Sequence, residues 1–231
     1  MKKLGIITAL SDEAEGLISS MTDKKEEKIN YMLFADGKIG DTEVTVVTKA
    51  YGKVNAAMAA QLLIMKYGAK MLINTGVGGG LGQGLMPGDT VLADKVVQHD
   101  IDTTALGDER GLISGLYRVY IDTDRELTEK LYNASLKLGY STRKGIIATG
   151  DSFIATNEQR KRITDAFGAL VCEMEGGAVG QAAALHNVPF AVLRAISDNG
   201  DGDAPADYNE FTKSAASKAV SIILSLLGKE N

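Results

Sequence analysis

Val171-Cys172-Glu173-Met174-Glu175-Gly176 is a short apolar run that stops at a carboxylate, and Arg194-Ala195-Ile196-Ser197-Asp198 repeats the pattern further along the chain. Such a run, bounded by a turn signal, reads as a buried strand of an α/β sheet. Ligands of these sheets bind outside the strand ends. A carboxylate buried there is costly unless it is paired or protonated, so it marks a site. The same reading puts a third acid, Glu13, at the end of the first strand. Acids at three strand ends, with no metal-ligand cluster beside them, point to acid/base work on an uncharged, hydroxyl-rich substrate.

Outward from these segments, apolar runs alternate with amphipathic helical patterns, as in an α/β domain. Strands are expected at 4–9, 71–75, 90–97, 145–149 and 190–196, with a hairpin-like pair at 31–35 and 42–49. Helices are expected after Ser11 as a cap with Asp12 and Glu13 in the first turn, at 54–67 ending on Gly68, at 124–138 capped by Asp122 or Thr123, at 175–186 and at 208–227. Two strand pairs lack a helix between them, which favours a mixed sheet over a parallel one. No linker, repeat or low-complexity segment divides the chain, so one domain over 1–231 is expected. Gly76-Val77-Gly78-Gly79-Gly80 follows a strand, as a phosphate loop would. It lacks the Lys-Ser/Thr ending of a P-loop and does not fit G-x-G-x-x-G. It reads as a tight turn that lets backbone approach closely.

Hydrophobic residues make up 45% of the 231, enough for a sizeable core, and the net charge of -5 argues against a nucleic-acid or anionic-membrane partner. The lone Cys172 excludes an internal disulfide, fits a reducing compartment and reads as a core residue. The first residues do not read as a signal peptide, since Asp12, Glu13 and Glu15 follow a short apolar stretch. No run reaches the length of a membrane span. A cytoplasmic location is expected. His99 and His186 have no second ligand at zinc spacing and read as structural, so neither a metal nor a cofactor is expected.

The chain resembles the 5'-methylthioadenosine/S-adenosylhomocysteine nucleosidases, within the purine nucleoside phosphorylase and uridine phosphorylase superfamily. The resemblance is carried by Gly5-Ile6-Ile7-Thr8-Ala9 leading to Glu13, by Gly52-Lys53-Val54, and by Ile73-Asn74-Thr75-Gly76 with Gly79-Gly80-Leu81. It continues through Pro87-Gly88-Asp89, His99-Asp100, Thr149-Gly150-Asp151-Ser152-Phe153-Ile154, Glu173-Met174-Glu175 and Arg194 to Asp198. It implies a three-layer αβα fold around a central mixed sheet, a homodimer without cofactor, and hydrolysis of the N-glycosidic bond of adenine nucleosides such as 5'-methylthioadenosine, S-adenosylhomocysteine, 5'-deoxyadenosine or adenosine.

By that resemblance Asp198 matches the general acid that protonates N7 of adenine, with Ser197 to orient it. Glu13 matches the acid that positions or activates water, with Arg194 nearby. Glu175 matches the acid that binds the ribose 2'- and 3'-hydroxyls, and Met174 lies against the sugar. Phe153 matches the ring stacked on adenine, and the Ile154 backbone the group that reads its edge. Tyr208 falls where an aromatic residue closes the 5' side. Val77 and Gly78 border the substrate, with Val77 standing where the family has serine. Tyr51 stands where a smaller apolar residue is usual, near the 5' group. The segment 106–114 also departs from the family's aromatic and proline-bearing loop, and is expected on the same side.

Two alternatives stay open on the sequence. One is a phosphate-dependent phosphorylase, which needs arginines in the glycine-rich loops; here those loops carry Asp12 and Glu13 and no basic residue. The other is a catalytically silent nucleoside-binding protein, which the retained Glu13, Glu175 and Asp198 argue against.

Overall fold

The computed structural model describes residues 2–201 and 203–229; Met1, Gly202, Glu230 and Asn231 fall outside the described part of the expected domain. In chain order the elements are β1 (Leu4–Ile7), α1 (Asp12–Ser19), β2 (Thr22–Ile29), β3 (Met32–Ile39), β4 (Thr42–Thr48), α2 (Gly52–Met65), β5 (Met71–Gly80), β6 (Thr90–Gln98), β7 (Tyr120–Asp122), α3 (Arg125–Lys137), β8 (Thr142–Thr149), α4 (Asn157–Phe167), β9 (Val171–Glu173), α5 (Gly176–Leu185), β10 (Phe190–Asp198) and α6 (Ala204–Leu226).

The sheet is mixed, as expected. Its order is β10-β6-β8-β9-β5-β1-β4-β3-β2, with β7 beside β6. β10 also pairs with β5, so β5, β9, β8, β6 and β10 close into a ring. β1, β4, β5 and β10 run parallel through their shared pairings. β9 is antiparallel to β5, and β6 is antiparallel to β10. Closure brings the ends of β5, β9 and β10 to one rim.

Helices cover both faces, which completes the three layers. α2 and α5 pack together over one face, and α1, α3 and α6 over the other. α2 buries Ala56, Ala59, Ala60 and Leu63, an apolar stripe at helical spacing. α6 buries Ala215, Ala219, Ile222 and Ile223 against β5 and β10. Each fully buried Leu or Ile among these contributes about 1.5–3 kcal/mol, and each alanine methyl less. These two apolar layers fix where the strand ends lie.

Several local expectations change. The glycine run is not a turn: β5 continues through Gly80. Glycine is needed because neighbouring acids lie against the strand. A Cβ on Gly76 would sit 2.7 Å from Glu13 Oε1, and one on Gly79 would sit 2.9 Å from Asp198 Oδ1. Asp124 caps α3, accepting from Leu127 N at 2.8 Å, in place of Asp122 or Thr123. Thr123 Oγ1 instead donates to Ala93 O at 2.6 Å. Ser11 occupies the N-cap of α1 without a side-chain cap bond. α6 begins at Ala204, with a proline in its first turn, where a missing N–H costs nothing. β2, β7 and α4 were not expected. β2 is exposed along nearly its whole length and carries Lys24, Lys25, Glu26, Glu27 and Lys28, so it has no hydrophobic alternation to read.

Candidate active site

One cavity at the rim is lined by Glu13, Tyr51, Val77, Gly78, Phe153, Ile154, Met174, Glu175, Ser197, Asp198 and Tyr208. The fold thus brings together eleven of the twelve residues expected at the site. Arg194 is the exception. It is 1% exposed and does not line the cavity.

Glu13 lies in the first turn of α1, as the Ser11 cap reading expects, a few residues past the end of β1. Its carboxyl folds back over that strand end. Oε2 accepts from Ala9 N at 2.9 Å and Leu10 N at 2.8 Å, and Oε1 accepts from Val77 N at 3.2 Å. Burial pushes its pKa above the usual carboxylate range, against the Leu10 amide and the Arg194 charge, which pull it down. The acid therefore spans β1 and β5, and the bare backbone at Gly76 makes room for it.

Asp198 ends β10, where the register with β5 shifts between Ile196 and Asp198. It is 2% exposed. Ser197 Oγ donates to its Oδ2 at 2.8 Å, and Gly200 N donates to its Oδ1 at 2.9 Å. Burial raises its pKa, and these two hydrogen bonds oppose the rise. Each oxygen keeps a lone pair free, so the group can hold a proton and face the cavity with it.

Glu175 occupies the N-cap of α5. Its Oε1 accepts from Gly52 N at 2.9 Å, and its Oε2 lies 3.6 Å from Arg194 Nη2. Burial first, then the neighbouring Glu173 carboxylate, push its pKa up to about 8. Gly52 presents its amide there because its φ of +71° turns the chain sharply into α2, a conformation that glycine adopts without strain.

Glu173 is the principal residue that sequence reasoning left without a role. Its Oε2 accepts from Glu175 N at 3.0 Å and Gly176 N at 2.7 Å, so it caps α5 from the end of β9. Its Oε1 accepts from the Thr149 hydroxyl, and Arg194 Nη2 pairs with Oε2. Arg194 also donates to Asn74 Oδ1 at 2.6 Å and Leu193 O at 2.9 Å, while its Nε is buried without a partner. The arginine thus lies beneath the cavity floor and holds two of its acids from below. The available signal was the acid-x-acid spacing of Glu173 and Glu175.

Aromatic side chains form the walls. Phe153 and Tyr208 meet edge to face with ring centroids 5.5 Å apart. Tyr51, 45% exposed, stands at the mouth. The wall segment that carries Phe153 is tied to α2, since Lys53 N donates to Asp151 Oδ1 at 2.8 Å. Asp100 joins both, accepting from Lys53 Nζ at 2.6 Å and Asp151 N at 3.0 Å. Ser152, Cys172 and Gly52 also line the cavity, and none was expected there. Burial pushes the Cys172 thiol up to about 12, so it acts as lining and not as a nucleophile. The segment 106–114 does not line this cavity, contrary to expectation; its Arg110 lines a second one.

Chemically, the cavity offers flat apolar walls for a ring system, four acids (Glu13, Glu173, Glu175 and Asp198), and no lysine or arginine among its lining residues. The phosphorylase superfamily model matches residues 3–228. A 5'-methylthioadenosine/S-adenosylhomocysteine nucleosidase of Shewanella loihica is 38% identical, over 97% of this chain and 98% of that protein. The Neisseria meningitidis nucleosidase of the same name, solved in complex with methylthio-immucillin-A, superposes with a TM-score of 0.95 at 30% identity, covering 98% of both chains. The futalosine hydrolase of Helicobacter pylori superposes with a TM-score of 0.93 at 28% identity, covering 98% of this chain and 97% of that one. With fold, site and sequence in agreement over nearly its full length, the chain belongs to the 5'-methylthioadenosine/S-adenosylhomocysteine nucleosidase family of the phosphorylase superfamily.

Proposed function

We propose that this protein hydrolyses the N-glycosidic bond of adenine nucleosides, 5'-methylthioadenosine and S-adenosylhomocysteine among them, to release adenine. The observation that carries this reading is the convergence of Glu13, Glu175 and Asp198 on one aromatic-walled cavity without a basic lining residue.

Adenine leaves poorly until N7 is protonated. Asp198, whose pKa burial raises above the ordinary aspartate value, is the acid that delivers a proton to N7. The ribose becomes oxocarbenium-like as the bond breaks. Glu175 holds the ribose hydroxyls, in bonds that strengthen as positive charge develops, as in glycoside hydrolysis. Glu13 orients water toward C1' and takes its proton. After the step Asp198 is ionised and Glu13 protonated, and exchange with solvent restores both. Phe153 stacks on adenine and Ile154 borders its edge, while Met174, Tyr208 and Tyr51 enclose the sugar and the 5' group. Arg194, through Glu173, positions the acids. Water is the nucleophile because a phosphate dianion would meet acids without a bidentate cationic partner.

The working form is a cytoplasmic homodimer of single-domain chains. Val54, Met58 and Met65 form an exposed apolar stripe on α2, continued by Leu185 at the end of α5 and Tyr51 at the cavity mouth. A second copy of the chain covers this stripe. The absence of any described helix long and apolar enough to cross a membrane supports the location.

The test is a panel of adenine nucleosides with and without phosphate, resolved by chromatography. Free adenine and a free ribose derivative are expected without phosphate. A phosphate requirement with formation of ribose 1-phosphate would overturn the reading.

A further inference from the structure

A second cavity, of about 230 Å3, lies beside the segment that carries Phe153 and shares Ser152 and Ile154 with the first. Its polar wall consists of His99, Asp100, Arg110, Ser152, Gln159 and Arg162. The side-chain oxygens of Asp100 and Gln159 are already engaged. Asp100 Oδ1 takes the Lys53 ammonium, and its Oδ2 takes the Asp151 amide. Gln159 Oε1 accepts from Ala155 N at 3.1 Å and Thr156 Oγ1 at 3.2 Å, which leaves the Gln159 amide NH2 free to donate. Asp102, the nearest acid outside the wall, has one oxygen on the Thr104 amide and hydroxyl and the other 3.8 Å from Arg110 Nε.

The donors are unspent. Arg110 Nε is buried without a hydrogen bond, and so is His99 Nε2. Among the described residues Arg162 makes no hydrogen bond or salt bridge, and its charge acts on Asp102. Burial holds the His99 imidazole below its usual range, so the positive charge of the wall belongs to the two arginines. A cavity walled by two guanidiniums, an amide NH2 and a hydroxyl, with the Asp100 and Gln159 oxygens occupied, complements a multi-oxygen anion.

We propose that this cavity binds the phosphoryl group of a small molecule, and that its occupancy is coupled to the nucleoside cavity through Ser152-Phe153-Ile154. An anion held by Arg110, Arg162 and Ser152 fixes one side of this segment, whose other contacts form the adenine-side wall. The coupling is reciprocal, so phosphate alters adenine affinity by the factor by which adenine alters phosphate affinity.

Inorganic phosphate is the probe, titrated calorimetrically into the full-length protein at constant ionic strength. This titration needs no nucleoside turnover, so its outcome is independent of the proposed hydrolysis. One phosphate per chain is expected, with binding at least ten-fold weaker in Arg110→Met and in Arg162→Met and absent in the double variant. Both side chains are partly or fully exposed, and a circular dichroism melt identifies any variant that fails to fold; Arg162→Gln then serves as the milder replacement. Adenine-saturated protein should still bind phosphate, with affinity changed at least two-fold. No saturable binding, binding unchanged in the double variant, or binding displaced competitively by adenine would each overturn the site. Adenine affinity that is identical with and without saturating phosphate would overturn the coupling.

Discussion

The Gly52 amide donates to Glu175 at 2.9 Å across 123 positions of sequence, joining the first residue of α2 to the N-cap of α5. Two helix N-termini thus meet at one carboxyl. Their partial positive charge favours the ionised form, yet burial and Glu173 outweigh it and raise the group to about 8.

That balance predicts a pH-dependent stability. The folded value of about 8 exceeds the ordinary 4.5. Between those values the unfolded chain ionises while the folded one keeps its proton. Stability contributed by the protonated acid is therefore full below the lower value and lost as pH rises through the upper one. Glu175→Gln removes this dependence. Urea unfolding should show the variant gaining on the wild type from about pH 6 to about pH 8.5, by at most a few kcal/mol. A constant difference between them would refute the assignment. The same variant should lose preference for ribosides over 2'-deoxyribosides.

Asp198→Asn keeps the shape of the side chain but cannot protonate N7. Turnover should fall by ~10²–10⁴-fold. Ser197→Ala acts differently. The Ser197 hydroxyl bond favours the carboxylate, so losing it raises the Asp198 pKa further. The alkaline limb of the kcat profile should move to higher pH, and a shift to lower pH would contradict this role.

Glu13→Gln retains an acceptor for the Ala9 and Leu10 amides but cannot take a proton from water. Single-turnover rates should drop far more than adenine affinity. Comparable losses in both would assign Glu13 to binding alone.

Glu173→Leu strands a buried arginine and removes the α5 cap at once, and should cost ~3–5 kcal/mol in unfolding free energy. Glu173→Gln keeps an acceptor for the Glu175 and Gly176 amides and should cost clearly less. Equal costs would mean that the cap contributes nothing.

Tyr51 puts a phenol ring at the cavity mouth. We expect short 5' groups such as methylthio or hydroxyl to be favoured over the homocysteine tail. Tyr51→Ile should raise kcat/KM for S-adenosylhomocysteine by roughly ten-fold, on the scale of one methylene in a tight pocket. Unchanged ratios among 5'-methylthioadenosine, adenosine and S-adenosylhomocysteine would remove Tyr51 from specificity.

Glu175, just beyond β9, and Asp198, at the end of β10, were legible because a buried apolar run that stops at a charge is a local signal. Most strands and helices were legible for the same reason, although their ends were not. Glu13 was legible as a residue and in its helix, but the contact of its carboxyl with β5 was not, since it depends on the missing Cβ of Gly76 on another strand. Local rules read five residues with four glycines as a turn. Only the acids packed against them explain why they form a strand. Arg194 was expected near Glu13, whose carboxyl its charge does reach, but its burial beneath Glu173 is a tertiary fact that no local pattern carries. β2 and α4 carry too few apolar residues to announce themselves: β2 is exposed along nearly its whole length, and α4 buries only Ile163 and Phe167.

β2 also determines how this sheet meets other molecules. It is the terminal strand of the long sheet order, and its unpaired backbone edge would otherwise template another strand. Any incoming chain would have to lie alongside Lys24, Lys25, Glu26, Glu27 and Lys28 and strip water from their charges. At the other end, the β10–β5 pairing closes the ring and shields most of the remaining strands. The molecule can therefore present sticky apolar helices for assembly while remaining resistant to the strand-by-strand growth that leads to fibrils.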